Sequence, residues 1–130
     1  MANCLAALVR DPQGRFGLWN LRTGELIATR VVAAFDSSSR RQGLLGRGGL
    51  ASGEALALAP CSSVHTAFMR FPIDLLFLGR DGRVVKTATA VRPWRIRVAW
   101  RAFAVVELAS GTVEHSGTVR GDVVELRPIV

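Results

Sequence analysis

The stretch Ile73-Asp74-Leu75-Leu76-Phe77-Leu78 is the most apolar in the chain, and the turn-forming residues Arg80-Asp81-Gly82 come shortly after it. A short apolar run that is bounded by turn residues is typical of a buried β-strand. Asp-Gly is a strong hairpin signal, and residues 83–90 follow it as the next strand candidate. The pattern therefore predicts a β-hairpin whose first strand is formed by residues 73–78.

Working outward, three runs before this hairpin, at residues 5–10, 15–21 and 26–35, are joined by short turns and predict a meander of three strands. Serines that can act as N-caps predict a short helix at 38–45, which Gly46 is well placed to end. One helical turn is predicted at 112–116, and further strands at 55–59, 64–66, 96–100, 102–108 and 123–127. The predicted fold class is mostly β (α+β): a small antiparallel β-barrel or rolled sheet with one or two short helices.

The composition is that of a globular domain, with 49% hydrophobic and 21% charged residues in a chain of 130. This length supports one core, so residues 1–130 are expected to form a single domain. The net charge is +7, and every basic residue except Lys86 is an arginine. Arginine usage indicates either a GC-rich coding genome or an anion-binding surface, since arginine binds carboxylate and phosphate bidentately.

Two cysteines are too few for a disulfide framework. No apolar run approaches the roughly 20 residues that are needed to cross a bilayer. The short apolar segment at residues 4–9 lacks the basic flank and the length of a secretion signal. A cytoplasmic location without a membrane span is therefore expected, and no cofactor or metal site is predicted.

Residues 40–47 read Arg-Arg-Gln-Gly-Leu-Leu-Gly-Arg, and residues 60–74 contain Ser-Val-His-Thr and Met-Arg-Phe-Pro-Ile-Asp. The first segment resembles the arginine-rich signature of the DUF192 (UPF0127) family, whose function is not established, and the second is similar to a variant found in that family. Further similarities to the family occur at 50–56, at 81–84, at 106–112 and at Gly121-Asp122. The resemblance covers about residues 30–126 and implies a compact, mostly β domain with a short helix.

Asp74 is a candidate site residue because its strand alternates, so that its carboxylate shares a face with Leu76 and Leu78. A buried carboxylate must find donors, and the candidates are Arg40, Arg47, Thr66 and nearby backbone N–H groups. Three interpretations stay open. Asp74 pins the turn at Pro72 or the helix, acts as a base or ligand contact, or is exposed on the surface.

Cys61 and His65 are a candidate nucleophile and base. Their spacing puts them roughly 13 Å apart on an extended chain, so they approach only if the segment turns sharply. The alternatives are a buried cysteine with a hydrogen-bonded histidine, and a His65 that contacts a ligand. The predicted ligand-binding residues are Arg40, Arg47, His65, Thr66, Met69 and Asp74.

Residues 82–105 contain six basic residues and no acidic residue. Within 94–101, apolar Trp94, Ile96, Val98 and Trp100 alternate with Arg95, Arg97, Ala99 and Arg101, which predicts a strand with its tryptophans in the core. The predicted basic surface comprises Arg92, Arg95, Arg97 and Arg101. It either protects an edge strand, engages an acidic protein or anionic small ligand, or holds single-stranded nucleic acid.

The preferred functional interpretation is a non-catalytic binding or accessory module that engages an anionic small molecule or an acidic protein. The alternative is a small hydrolase-like enzyme that uses Asp74 or His65 as the general base, with Arg40 or Arg47 stabilising an anion. Single-stranded nucleic-acid binding through Arg95, Arg97 and Arg101 is a weaker alternative, and nucleic acid is not favoured as a partner.

Overall fold

The computed structural model describes residues 3–35 and 50–129. Within these residues the protein is mostly β, with two short helices, α1 (Ala6–Arg10) and α2 (Thr112–Ser116). The described strands are β1 (Phe16–Asn20), β2 (Leu26–Ala28), β3 (Arg30–Ala34), β4 (Glu54–Leu58), β5 (Ser63–His65), β6 (Ile73–Leu78), β7 (Val84–Val91), β8 (Ile96–Val98), β9 (Ala104–Ala109) and β10 (Val124–Pro128). The helix predicted at 38–45 lies outside the described residues.

The hairpin predicted from the apolar stretch is confirmed. Strand β6 spans the predicted residues with every side chain buried, and it pairs antiparallel with β7 on one side and β9 on the other. In the connecting turn, Gly82 has a φ of 85°, and a Cβ there would lie 2.5 Å from the carbonyl oxygen of Val124. The turn therefore requires glycine, both for its backbone conformation and for its close approach to β10. The helical turn predicted at 112–116 is confirmed as α2.

The prediction for the N-terminal runs is wrong in two places. Residues 5–10 contain helix α1 and not a strand, because Leu5 and Leu8, three positions apart, both turn into the core with 1% and 0% exposure. The run at 26–35 is divided at Thr29, whose backbone N–H donates to the carbonyl oxygen of Gly53 at 2.8 Å. The second half, β3, then pairs in parallel with β4, so the fold is not wholly antiparallel.

The described strands form three sheets. A central sheet has the order β3-β4-β9-β6-β7, a second sheet has the order β10-β1-β2, and β5 pairs with β8 in a third. None of these sheets closes on itself within the described residues, so the predicted barrel is not confirmed. What the structure establishes is the coarser class, a mostly β fold with two short helices.

The central sheet is covered on both faces. On one face, alternate residues such as Leu76, Val106 and Leu108 pack against α1 and the sheet that contains β1. On the other face, Leu75, Phe77 and Val105 pack with Val64 of β5 and with Met69. The side-chain alternation of the strands thus sorts the core into two layers of apolar contacts. None of the described helices has the length and apolar composition to span a membrane.

Candidate functional site: a basic and aromatic surface and two buried carboxylates

The Asp74 carboxylate lies on the face of β6 that packs toward α2, and it is fully enclosed. Its Oδ1 accepts the backbone N–H of Ala90 at 2.8 Å, and its Oδ2 accepts those of Gly111 and Val113, each at 3.0 Å. Hydrogen bonds from N–H groups compensate a carboxylate for its lost hydration. Asp74 therefore ties β6 to the end of β7 and to the start of α2. Arg40 and Arg47, two of its predicted donors, lie outside the described residues.

Thr66, the third predicted donor, makes different contacts. It is buried, and its Oγ1 donates to the carbonyl oxygen of Arg92 at 2.6 Å and accepts the backbone N–H of Arg95 at 2.8 Å. Its backbone accepts the N–H groups of Trp94 and Met69, each at 3.1 Å. Thr66 thus joins the turn after β5 to the segment before β8.

Met69 and His65 flank this junction. Met69 is buried at 8% exposure in the apolar layer with Val64, so it contributes to packing. His65 is exposed on β5, opposite Ile96 of β8. The structure therefore brings His65, Thr66 and Met69 together on one side of the central sheet, whereas Asp74 faces the other side.

The Cys61 thiol donates to the carbonyl oxygen of Ser63 at 3.1 Å. Among the described residues, no group of three or more potential ligands could hold a metal ion.

The tryptophans that were predicted to lie in the core are exposed, and this prediction was wrong. Trp94, Ile96 and Trp100 are 61%, 69% and 87% exposed, and neighbouring Phe68 is 69% exposed. Strand β8 covers only Ile96–Val98, so both tryptophans lie outside the strand whose alternation was used to place them. Alternation separates two faces of a strand but does not say which face another layer will cover.

Two of these aromatic residues occupy a backbone conformation that is unfavourable for them. Phe68 has a φ of 65° and Trp94 a φ of 64°. The left-handed region costs roughly 1–2 kcal/mol per residue with a side chain. The two rings contact each other edge to face, with centroids 4.6 Å apart and an interplanar angle of 62°. The fold thus holds a pair of aromatic rings outward at a cost in backbone energy.

Arginines alternate along the chain with these exposed side chains. Arg95 Nη1 donates to the carbonyl oxygen of Trp94 at 3.3 Å, and Arg97 Nη1 donates to that of Ile96 at 2.9 Å. Each guanidinium has five N–H donors, so most remain for another acceptor. The ion pairs described for this chain involve other arginines: Arg22 with Asp122, Arg83 with Asp81 and Arg127 with Glu125. We define the basic–aromatic surface as Phe68, Trp94, Ile96, Trp100, Arg92, Arg95, Arg97 and Arg101.

Lys86 links strand β8 to the central sheet. Its Nζ donates to the carbonyl oxygen of Val98 at 2.8 Å and lies 5.8 Å from the centre of the Phe77 ring. The only lysine of the chain therefore anchors strand β8 to the central sheet instead of adding its charge to the exposed arginines.

Glu107 is a candidate that sequence reasoning missed. It lies on β9, opposite Leu56 and Leu75, with 5% exposure, and its Oε2 has no hydrogen-bond partner among the described residues. Burial raises its pKa to about 7. In the sequence, Glu107 is the single acid within the apolar run of residues 104–109. Because side chains alternate along a strand, it points to the other face from Val106 and Leu108, and this pattern could have identified it.

Three comparisons place this architecture among known proteins. The sequence profile of DUF192, described as "Uncharacterized ACR", matches residues 19–126. A protein of unknown function from Novosphingobium aromaticivorans DSM 12444 is similar with a TM-score of 0.73 and 24% identity, over 85% of this chain and 83% of that one. A proposed transcription regulator from Sinorhizobium meliloti 1021 gives a TM-score of 0.76 and 26% identity, over 86% and 92%. The comparison with curated sequences finds no match.

Proposed function

The chain belongs to the DUF192 family, and on that premise we propose that it is a single-domain, non-catalytic binding module that engages an anionic partner through the basic–aromatic surface. The observation that carries the proposal is the exposure of four large apolar side chains, Phe68, Trp94, Ile96 and Trp100, beside four arginines. Aromatic residues and arginine are the residue types that contribute most to binding energy at interfaces.

Hydrophobic energetics support this use of the surface. Covering one large apolar side chain contributes about 1.5–3 kcal/mol. The fold forgoes that contribution at Phe68 and Trp94 and accepts a left-handed backbone at both positions. Backbone outliers of this kind cluster at sites of ligand binding. A partner that covers the rings would recover the energy that the isolated domain does not.

Electrostatics support an anionic partner. Residues 82–105 contain no acid that could neutralise Arg92, Arg95, Arg97 and Arg101 from within the same segment. A surface of one sign attracts ligands of the opposite sign and speeds their association. An acidic protein, an anionic small molecule and an anionic macromolecular surface all belong to this class.

The buried polar groups favour binding over catalysis. Both oxygens of Asp74 are occupied by backbone N–H groups that hold the fold together. A general base needs a free acceptor within hydrogen-bond reach of the proton that it removes. The three N–H groups already occupy Asp74, which leaves the exposed His65 on β5 as the other proposed base.

The proposal is tested by binding to four anionic probes: heparin, polyglutamate, a single-stranded oligothymidylate and phosphatidylglycerol vesicles. We expect the tryptophan fluorescence to respond to at least one of them. The triple variant R95Q/R97Q/R101Q should bind that probe about tenfold or more weakly, because three neutralising charges are lost. The control R10Q/R30Q/R120Q removes the same charge from exposed positions elsewhere. Equal losses in both variants, or no binding of any probe, would contradict the proposal.

Single-stranded nucleic acid is a second candidate, favoured by the exposure of Trp94 and Trp100, on which bases could stack. The Sinorhizobium protein that is similar to this chain is described as a proposed transcription regulator. The affinity for the oligothymidylate should then fall by about 0.7 log units per phosphate contact for each tenfold rise in salt. A flat salt dependence would exclude this candidate.

A further inference from the structure

We infer that the anionic partner is a lipid bilayer surface, into which Phe68, Trp94 and Ile96 insert while the neighbouring arginines contact the headgroups; this inference rests on the function proposed above. Among anionic partners, a bilayer fits the type, the placement and the charge of these side chains.

The exposed side chains are of types that suit a bilayer better than nucleic acid. Ile96 is 69% exposed and has no aromatic face, so it gains nothing from base stacking. The edge-to-face contact at 62° also covers one ring face within the pair of Phe68 and Trp94. Single-strand binders stack bases on free ring faces, whereas insertion into an apolar phase rewards any exposed apolar area.

The exposed apolar side chains lie close to one another. The backbone N–H of Trp94 donates to the carbonyl oxygen of Thr66 at 3.1 Å, and Ile96 of β8 pairs with His65 of β5. Together with the ring contact between Phe68 and Trp94, these links put the three apolar side chains at one end of the sheet formed by β5 and β8. A compact apolar cluster that the fold holds outward can enter a bilayer without unfolding.

The segment that carries Trp94 and Ile96 is strongly basic. Arg92 and Arg95 are exposed and lie within two residues of Trp94, and no acid occurs in residues 82–105. Each basic residue near an anionic leaflet contributes about 1 kcal/mol. Tryptophan favours the interface between headgroups and acyl chains, and arginine can extend its guanidinium toward the headgroups. The cytoplasmic leaflet is the anionic one, which agrees with the expected location of the chain.

The test is co-sedimentation with large vesicles of phosphatidylcholine alone and of phosphatidylcholine mixed with phosphatidylglycerol. We expect binding to the mixed vesicles and a shift of the tryptophan emission to shorter wavelength. Lipids that carry bromine near the headgroup should quench this emission. In the variant F68N/W94N/I96T, asparagine tolerates the left-handed backbone and threonine suits a strand. This variant should lose about 100-fold in vesicle affinity, because three inserted side chains are removed.

The control V9T/L21Q/V119T removes exposed apolar side chains from other parts of the surface and should keep its vesicle affinity. Thermal unfolding of both variants verifies that they are folded. Binding of polyglutamate, heparin or oligothymidylate without binding of the mixed vesicles overturns the lipid assignment and leaves the proposed binding function standing. Failure to bind any of the four probes overturns both. Equal vesicle affinity of the two triple variants overturns the assignment of the inserting residues.

Discussion

Asp74 and Glu107 are buried carboxyl groups on adjacent strands of one sheet, yet their surroundings are opposite. Asp74 lies on β6 opposite Leu108, and three backbone N–H groups donate to it. Glu107 lies on β9 opposite Leu75, points to the other face, and has a buried oxygen without a partner among the described residues. The comparison teaches that burial alone does not define the role of an acid. Its donors decide whether it stabilises the fold or strains it.

Removing the supported carboxylate should have the largest effect. The variant D74A leaves the N–H groups of Ala90, Gly111 and Val113 without an acceptor inside the protein. We expect a loss of about 4 kcal/mol in the free energy of unfolding, since each unsatisfied buried donor costs about 1–3 kcal/mol. Urea denaturation measures it. D74N keeps one acceptor oxygen and should therefore lose less stability than D74A. If D74A were as stable as the wild type, Asp74 would not stabilise the fold and the contrast with Glu107 would disappear.

Removing the charge of Glu107 should raise the free energy of unfolding at neutral pH, where removing that of Asp74 lowers it. The folded pKa of Glu107, about 7, lies above the value of an unfolded glutamate, so the folded state binds the extra proton between these two values. The stability of the wild type should therefore fall as the pH rises from about 5 to about 7, and stay low above it. E107Q should lack this decline and be more stable at pH 8 by up to about 3 kcal/mol.

Urea denaturation of both proteins at several pH values checks this prediction. The stability difference between E107Q and the wild type should be small near pH 5 and largest at pH 8. A difference that does not change with pH would show that Glu107 ionises without penalty, and that its surroundings resemble those of Asp74 after all.

Asp122 is a third buried acid, and we expect its removal to change the stability less than changes at Asp74 or Glu107. It accepts hydrogen bonds from Arg22 Nε at 2.6 Å, Asn20 Nδ2 at 2.9 Å and the Val119 N–H at 2.9 Å. The Arg22 guanidinium is the main reason that the pKa of Asp122 lies well below its usual range. Its stabilising contribution should thus be present above about pH 4 and be lost as the pH falls.

We expect D122N to lose about 1 kcal/mol at neutral pH, a modest value because Arg22 is exposed to solvent. The loss should shrink at acid pH, which is the reverse of the pH dependence of Glu107. Thermal unfolding at pH 3 and pH 7 measures it, with R127Q, which removes a similarly exposed arginine from another ion pair, as the control. A loss that grows toward acid pH would be inconsistent with the contact between Arg22 and Asp122.

Local sequence patterns predicted several elements correctly because their causes are local. Strand β6 and its Asp-Gly turn follow from an apolar run and a turn signal, and α2 and most strands were placed within a few residues. Helix α1 was missed because its five residues give too short a pattern to separate a period of two from one of 3.6. The parallel pairing of β3 with β4 joins segments that no short turn connects, so no local signal announces it.

The candidate site was predicted only in part. Thr66, Met69 and Asp74 were predicted to bind a ligand together, but the structure divides them between two faces of the sheet. The arginines at 92–101 were identified as a surface, whereas the exposure of Trp94 and Trp100 was not foreseen. Exposure depends on which neighbouring layer covers a residue, and that information lies in contacts between distant segments.

By itself, the sequence determined the strand-rich class, the central hairpin, the second helix and the cluster of positive charge, since each depends on residues close together in the chain. Tertiary structure alone decided which donors reach Asp74, that Glu107 finds none among the described residues, and that Phe68 and Trp94 meet as an exposed pair. The physical reason is that solvation and hydrogen-bond satisfaction are set by the groups that surround a side chain in space. In a β fold these groups come from distant parts of the chain.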